Sequence, residues 1–246
     1  MINSSRFKLG LAIPTLNEAG NIVTLLDGLH DAMSSMPIDY EFIVVDDDSK
    51  DGTAEIARQC ASRDSRVRVF TRQGKRGLAG AVMYGWAQTD ANLLGVIDAD
   101  LQHPPEVLPR LVEPVMNGND LAIASRYVAT ENNGLDNWNW LRALISRFGT
   151  LATAPLQKKH MRIRDPLSGF FVMRRECIEG LELQPEGFKI LLEILVRGRV
   201  QRATEVPFHF GIRHAGKSKA DFKVALAYFN LLGKLSRHAL FGPGQR

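Results

Sequence analysis

The chain has 246 residues, of which 45% are hydrophobic, and 31 lysines and arginines against 27 aspartates and glutamates give a formal net charge of +4. This length can bury one large core, and the mild positive charge suits phosphate-bearing partners or an anionic membrane surface; we expect no nucleic-acid partner. Apolar runs shorter than about 18 residues and the lack of a signal peptide argue against a membrane span and against secretion. Cys60 and Cys177 have no metal or disulfide spacing, so a cytoplasmic location is expected.

Five short apolar runs in the first half of the chain, each bounded by turn residues, predict buried strands. Four amphipathic stretches between them predict helices. This alternation predicts an α/β fold with a Rossmann-like, doubly wound, mostly parallel sheet and helices on both faces. The predicted strands are 7–14, 40–47, 67–70, 91–100 and 120–125, and the predicted helices are 18–35, 51–63, 77–89 and 105–117.

The second half predicts further helices and strands and ends in a basic amphipathic segment. No linker interrupts the chain, so we expect a single domain over residues 1–220 and a C-terminal amphipathic tail over 221–246. The tail could pack on the domain or lie on an anionic lipid surface. The predicted helices here are 137–158 and 187–198, and the predicted strands are 168–173 and 203–211.

Polar and charged residues collect where the predicted strands end. In doubly wound sheets, ligands bind beyond the carboxyl ends of the strands. Four such ends at one edge of the sheet therefore indicate a binding site. The residues at these ends are Pro14, Asn17 and Glu18 after the first strand, Asp46, Asp47 and Asp48 after the second, Asp98 and Asp100 after the fourth, and Arg126 after the fifth.

The stretch "DADLQHPP" (98–105) places two carboxylates two residues apart at the end of an apolar run. In an extended strand, Asp98 and Asp100 would project to the same face, where they would repel one another unless a cation lay between them. Oxygen ligands select Mg²⁺ or Mn²⁺, and Gln102 adds a neutral oxygen. The sequence thus predicts a divalent-cation site formed by these three residues. His103, beside two prolines, is expected at a surface or a helix start rather than on the metal.

Four segments in the first half resemble the motifs of family 2 glycosyltransferases with a GT-A fold, in the family's order and rough spacing. Five segments in the second half are similar to dolichol-phosphate mannose synthases of the archaeal type. The first set is "IPTLNE" (13–18), "VDDDSKDGT" (45–53), "GLAGAVMYG" (77–85) and "DADLQHPPE" (98–106). The second set is "SRY" (125–127), "NWNWLRALIS" (137–146), "DPLSGFF" (165–171), "GFKILLEIL" (187–195) and "VPFHFGIRHAGKSK" (206–219).

This resemblance implies transfer of mannose from GDP-mannose to a polyprenyl or dolichyl phosphate, by a metal-dependent enzyme at the cytosolic face of the membrane. It also implies the roles of individual residues. By this resemblance, the residues that bind the donor are Pro14, Glu18, Val45, Asp47, Gly77, Asp98 and Ala99. The residues that bind the metal are Asp98, Asp100 and Gln102. The residues implied to bind the acceptor phosphate are Arg126, Arg142 and Ser146. Those implied in catalysis are Asp100, Arg126, Arg142 and Arg213.

The chemistry of such a transfer favours direct displacement with inversion. A phosphate monoester is already anionic at neutral pH, since its second pKa is about 6, and needs no general base. The archaeal relatives continue into transmembrane helices beyond the stretch that resembles this chain, so a transmembrane partner subunit is compatible with the pattern.

Three alternative functions stay open. A UDP-glucose-dependent polyprenyl-phosphate glucosyltransferase would differ in a few contacts to base and sugar. A catalytically silent nucleotide-binding subunit would share the pocket. The stretch "GIRHAGKS" (211–218) also matches the phosphate-loop pattern of NTPases, although a phosphate-loop domain needs further strands after it and only 28 residues remain.

Overall fold

A seven-stranded sheet forms the centre of the computed structural model, which describes residues 7–75, 77–127, 153, 161–183 and 190–209. Strands and helices alternate along the first half of the chain, as the sequence predicts. The strands are β1 (Lys8–Thr15), β2 (Asp39–Asp46), β3 (Val67–Thr71), β4 (Leu93–Val96), β5 (Leu121–Ser125), β6 (Phe171–Arg174) and β7 (Ala203–Pro207). The helices are α1 (Ile22–Met33), α2 (Thr53–Arg63), α3 (Leu78–Ala87), α4 (Leu108–Met116), which follows a 3₁₀ turn at Pro105–Val107, and α5 (Ile190–Arg197).

The strand order is β3-β2-β1-β4-β6-β5-β7. All neighbouring pairs are parallel except those of β6, which runs antiparallel to both β4 and β5. The α/β class, the mostly parallel sheet and its doubly wound arrangement are thereby confirmed. Since β1, β2 and β4 are parallel neighbours, their carboxyl ends meet at the same edge.

Helices cover both faces of this sheet and enclose two apolar cores. On one face, Leu11 of β1 packs in a cluster with Leu25 of α1 and Leu111 of α4. On the other face, Ala12 of the same strand lies in a cluster with Trp86 of α3 and with residues of α5. Successive strand residues point to opposite faces, so one strand contributes to both cores. Each fully buried leucine contributes about 2 kcal/mol through the apolar area that it removes from water.

β4 ends earlier than the sequence predicts. The expected strand covers 91–100, whereas the paired residues are Leu93–Val96. Ile97 still donates its backbone N–H to the carbonyl of Ala12 (3.2 Å), and the chain then turns. Ile97 and Ala99 stay buried beyond the paired residues, so the apolar pattern extends past the strand. Asp98 and Asp100 therefore lie in a turn, and the prediction that strand alternation places them on one face is wrong.

The second half agrees with the prediction where the structure describes it. β6, α5 and β7 fall in or beside the predicted segments 168–173, 187–198 and 203–211. The predicted helix 137–158, apart from Thr153, and the tail 221–246 lie outside the described residues. Among the helices that are described, none is long and apolar enough to cross a membrane.

Candidate active site

The tips of β1 and β2 bring two of the predicted donor-binding residues side by side. Pro14 and Val45 are register partners in the parallel pair, and the next pair is Thr15 and Asp46. Asp46 accepts hydrogen bonds from the hydroxyl of Thr15 (2.9 Å) and from the backbone N–H of Ser49 (2.9 Å). Its carboxylate thus stabilises the strand ends, and the other residues predicted to bind the donor from this edge, Glu18 and Asp47, follow directly after them.

Side chains bind the loops after β1 and β2 to one another. The backbone N–H groups of Asn17, Glu18 and Ala19 donate to Ser49 Oγ (2.8 Å), Thr53 Oγ1 (2.9 Å) and Asp51 Oδ2 (3.0 Å), respectively. Asn17 and Asp48, with φ of 59° and 60°, adopt the left-handed conformation that asparagine and aspartate tolerate better than most residues. The two loops therefore form one unit, which holds Glu18, a predicted donor-binding residue, at the edge of the sheet.

Asp47 lies at the centre of a buried polar cluster. Its carboxylate accepts from Arg72 Nε (2.7 Å) and Nη2 (2.8 Å) and from the backbone N–H of Gly77 (2.8 Å). Gly77 has a φ of 139°, which an L side chain would strain. Asp47 and Gly77, both predicted to bind the donor, are thus joined directly, and Arg72, which was not among the predicted residues, also donates from Nη2 to the carbonyl of Gly77 (3.0 Å).

The turn after β4 carries the predicted cation site. The backbone N–H of Gln102 donates to Asp100 Oδ1 (3.1 Å), and the intervening Leu101 has a φ of 60°. A left-handed leucine is uncommon and is maintained by its surroundings, since this conformation costs about 1–2 kcal/mol. Asp100 is 8% exposed. Asp98 lies against Gly169, where an added Cβ would come within 2.1 Å of Asp98 Oδ2.

The donor atoms of this turn fit a divalent cation. Two carboxylates and an amide, all within five residues, are hard oxygen ligands of the kind that Mg²⁺ and Mn²⁺ bind. In the described part of the chain, no group of three or more His, Cys, Asp or Glu residues could hold a metal. An ion here would therefore complete its coordination with water or with substrate phosphates, which is common for Mg²⁺.

His103 does not join the candidate ligands. It precedes the turn that leads into α4, as expected of a helix start, but it is buried rather than at the surface. Its ring packs against those of Phe170 (5.8 Å between centroids) and Phe208 (5.2 Å). His103 therefore belongs to the core beneath the site.

Arg126 follows β5 and is held by a buried carboxylate. Asp165, which is 0% exposed, accepts from Arg126 Nε (2.8 Å), Nη2 (2.7 Å) and its backbone N–H (3.1 Å). Burial alone would lower the pKa of the guanidinium, but the hydrogen bond and charge of Asp165, with Tyr127 and Asp98, raise it above its usual value. Arg126 is thus a fixed cation within electrostatic reach of Asp98.

The strands β1, β2, β4 and β5 run in the same direction, so the residues predicted to bind the donor and the cation lie at the same edge of the sheet as Arg126. The other predicted acceptor residues, Arg142 and Ser146, and the predicted catalytic Arg213 lie outside the described part of the chain. No role is predicted from the sequence for Arg72 or for Asp165. Arg72 follows the carboxyl end of β3, so the rule that selects residues at strand ends could have found it.

Comparison with known proteins identifies the family. Residues 11–181 match the model of glycosyl transferase family 2. The chain belongs to this family. The GT-A type of fold is shared with the glucosyl-3-phosphoglycerate synthase of Mycobacterium tuberculosis in complex with Mg²⁺ and uridine diphosphate, with a TM-score of 0.68 at 20% identity over 98% of this chain and 82% of that one. The predicted family and fold are thereby confirmed.

Among relatives of this family 2 chain are two dolichol-phosphate mannosyltransferases. That of Pyrococcus furiosus is 42% identical over 230 residues, which cover 94% of this chain and 64% of the relative. That of Saccharomyces cerevisiae is 35% identical over 233 residues, which cover 91% of this chain and 85% of the relative. The chain therefore spans slightly less than two thirds of the Pyrococcus protein and most of the yeast one.

Proposed function

We propose that this chain transfers mannose from GDP-mannose to dolichyl or polyprenyl phosphate, with Mg²⁺ or Mn²⁺ bound at the edge of the sheet. The similarity to two dolichol-phosphate mannosyltransferases over 94% and 91% of the chain supports this reaction. The structural observation that supports it most directly is that one short segment contacts both Arg126 and Asp98: Asp165 accepts from Arg126 Nη2 (2.7 Å), and Gly169, four residues later, lies against the carboxylate of Asp98. A candidate cation ligand and a candidate phosphate ligand thus share one edge of the sheet.

On the donor side, the nucleotide would lie over the tips of β1 and β2. Pro14, Glu18, Val45, Asp47, Gly77 and Ala99 are the proposed contacts. Asp98, Asp100 and Gln102 would hold the cation, which would neutralise charge on the departing nucleoside diphosphate. Arg72 keeps Asp47 and Gly77 in place by donating to the carboxylate of the first and to the backbone carbonyl of the second.

On the acceptor side, Arg126, Arg142 and Ser146 are the proposed ligands of the lipid phosphate, and Arg213 would reach a phosphate from its own segment. A phosphate oxygen attacks the anomeric carbon, the bond from that carbon to the diphosphate oxygen breaks, and the nucleoside diphosphate leaves with the electron pair. Because the acceptor is already an anion, no proton has to be removed, and direct displacement inverts the anomeric configuration. The arginines orient the acceptor by directional hydrogen bonds.

The lipid acceptor implies work at a membrane surface. We expect a peripheral enzyme at the cytosolic face, with a domain over 1–220 and a tail over 221–246 that contacts lipid or a transmembrane partner. A few basic residues are interspersed among apolar ones in the tail, a composition typical of helices that lie in the membrane interface.

The reaction can be tested with the purified chain, radiolabelled GDP-mannose, Mn²⁺ or Mg²⁺, and a short polyprenyl phosphate. We expect a lipid-extractable mannosyl phosphodiester whose formation stops when EDTA is added. A parallel reaction with UDP-glucose tests whether the chain is instead a glucosyltransferase. An assay of ATP hydrolysis tests whether it is an NTPase.

Two aspartate variants complete this test. Asp100→Asn should abolish turnover, because it weakens the proposed cation site. Asp90→Asn, which removes a carboxylate that is 85% exposed and pairs with Lys8 near the amino ends of the strands, should leave activity unchanged. Release of GDP without a mannosyl lipid, or a product with UDP-glucose alone, would contradict the proposal.

A further inference from the structure

Residues 165–170, here called the 165–170 loop, are anchored to β5 by hydrogen bonds. Ser168 Oγ donates to the carbonyl of Ala124 (2.7 Å) and accepts from the backbone N–H of Phe170 (3.2 Å). The backbone N–H of Ala124 in turn donates to the carbonyl of Phe170 (2.9 Å). Asp165, Ser168 and Phe170 are all buried, so the loop has the packing of a core segment.

One end of this loop holds Arg126. Asp165 accepts three hydrogen bonds from that residue, two from the guanidinium and one from its backbone, which fixes both the side chain and the chain direction. The backbone of Asp165 is also fixed, because Glu205 of β7 accepts hydrogen bonds from the backbone N–H groups of Arg164 (3.0 Å) and Asp165 (3.0 Å). The bidentate pair uses the Nε and Nη2 edge of the guanidinium, and 15% of the Arg126 side chain stays exposed.

The other end of the loop touches the candidate cation site. Gly169 approaches Asp98 so closely that an added Cβ would lie 2.1 Å from Oδ2 and 2.7 Å from Cγ of that side chain. A methyl group there would displace the carboxylate or the loop. The absence of a side chain at position 169 is therefore a condition for the observed position of Asp98.

We infer that the 165–170 loop sets the distance between the two halves of the site, with Asp165 positioning Arg126 for the acceptor phosphate and Gly169 positioning Asp98 for the donor. This inference rests on the proposed function for the identity of the two substrates. A nucleophilic phosphate and a sugar must meet in a near-attack arrangement, and a misplacement of about 1 Å can cost about 10²-fold in rate. A single buried segment that contacts both sides meets that requirement.

Stability alone gives little reason for the Arg126 and Asp165 pair. Burying two charges costs nearly as much as their attraction returns, so apolar residues of similar volume often stabilise a fold at least as well. A bidentate guanidinium pair does, however, define orientation better than apolar contacts. If the pair positions Arg126, its loss should impair the use of the acceptor alone. If the pair only stabilises the fold, its loss should impair donor binding and acceptor use equally.

The test compares Asp165→Asn and Gly169→Ala in the full chain. We expect Asp165→Asn to lower kcat/KM for a short prenyl phosphate by about 10²-fold. GDP affinity in the presence of Mn²⁺, measured by calorimetry, should stay within about twofold. We expect the converse for Gly169→Ala, which should weaken Mn²⁺-dependent GDP binding by about tenfold or more. Because Asp165 acts through Arg126, the double variant Asp165→Asn, Arg126→Ala should be no worse than Arg126→Ala alone.

Two substitutions at the opposite end of the sheet are matched controls. Glu41→Gln removes a buried carboxylate that pairs with Arg68 (2.8 Å) and Lys8 (3.0 Å). Gly10→Ala inserts a Cβ 2.8 Å from Cγ2 of Thr89. Both should reduce thermal stability without changing the ratio of kcat/KM for the prenyl phosphate to the affinity for GDP. Should Asp165→Asn fail to fold, Glu205→Gln replaces it, and a smaller loss confined to the acceptor is expected.

The results separate this inference from the proposed function. If the wild-type chain transfers no mannose, the proposed function fails, and the inference is then judged from binding of the prenyl phosphate and of GDP with Mn²⁺. Three results would each overturn the inference. Asp165→Asn could lose GDP affinity as strongly as kcat/KM for the prenyl phosphate, or the effects of the two substitutions could add in the double variant. The third is wild-type protein that binds no prenyl phosphate.

Discussion

Replacing Arg72 with leucine should destabilise the fold, because the substitution leaves the carboxylate of Asp47 buried with fewer donors. The side chains of Arg72 and Asp47 are 9% and 5% exposed. Arg72 donates two hydrogen bonds to Asp47, of 2.7 and 2.8 Å, and a third of 3.0 Å to the carbonyl of Gly77. All three are lost in Arg72→Leu, and the N–H of Gly77 remains as a donor to the carboxylate.

The size of the effect follows from the burial of the pair. Removing one partner of a buried ion pair costs about 3–5 kcal/mol. An unfolding entropy of about 2.1 cal/mol/K per residue gives about 0.5 kcal/mol/K for a chain of 246 residues, so the melting temperature should fall by about 6–10 °C. The guanidinium also packs against α3, where a Cβ on Gly80 would lie 2.7 Å from Nη1 of Arg72, so a cavity adds to the loss.

Thermal and urea unfolding followed by far-UV circular dichroism measure this loss. The control is Arg58→Leu, since Arg58 is 50% exposed in its pair with Glu55 and such surface pairs contribute at most about 1 kcal/mol. The double variant Asp47→Asn, Arg72→Leu also removes the buried negative charge of Asp47 that Arg72→Leu leaves without its ion-pair partner. It should therefore be more stable than Arg72→Leu alone. If Arg72→Leu destabilises no more than Arg58→Leu, the buried pair does not contribute as argued.

Two further predictions concern titration and thiol chemistry. Hydrogen bonding to Arg66 lowers the pKa of Asp64 to about 2, so its contribution to stability is complete above the unfolded pKa and is lost as the pH falls from about 4 to 2. Urea midpoints across this range should fall less steeply for Asp64→Asn than for the wild type, and parallel curves would contradict the assignment. Burial, with the charge of Asp120, raises the pKa of Cys177 to about 12. A thiol reagent at pH 8 should therefore modify the partly exposed Cys60 long before Cys177 in the native protein, and equal rates would disprove this.

The sequence predicts the order of elements well because apolar periodicity reports burial. It misplaces the end of β4 for the same reason. Ile97 and Ala99 are buried like strand residues, yet the last backbone hydrogen bond to β1 is that of Ile97, and Ala99 lies beyond the strand. Burial and backbone pairing coincide in most of the sheet and separate at this turn. This is also where Leu101 takes a left-handed conformation that its chemistry does not suggest.

The candidate site is predictable in part. Carboxylates at strand ends are visible in the sequence, because the ends of parallel strands share an edge. Their partners are not visible. Arg72 lies 25 residues from Asp47, and Asp165 lies 39 residues from Arg126, and no local spacing rule connects such pairs. The contact of Gly169 with Asp98 is likewise a product of the tertiary fold.

Two buried guanidinium–carboxylate pairs border the candidate site, one after β3 and one after β5. In each, the aspartate compensates much of the charge of its arginine, Asp47 that of Arg72 and Asp165 that of Arg126. As the proposed phosphate ligand, Arg126 would then supply directed hydrogen bonds but little long-range attraction. In the proposed reaction, two anionic substrates nevertheless have to be brought together. We therefore propose that the attraction comes from a divalent cation at the turn that carries Asp98 and from basic residues other than these two, while the paired arginines determine where the substrates lie.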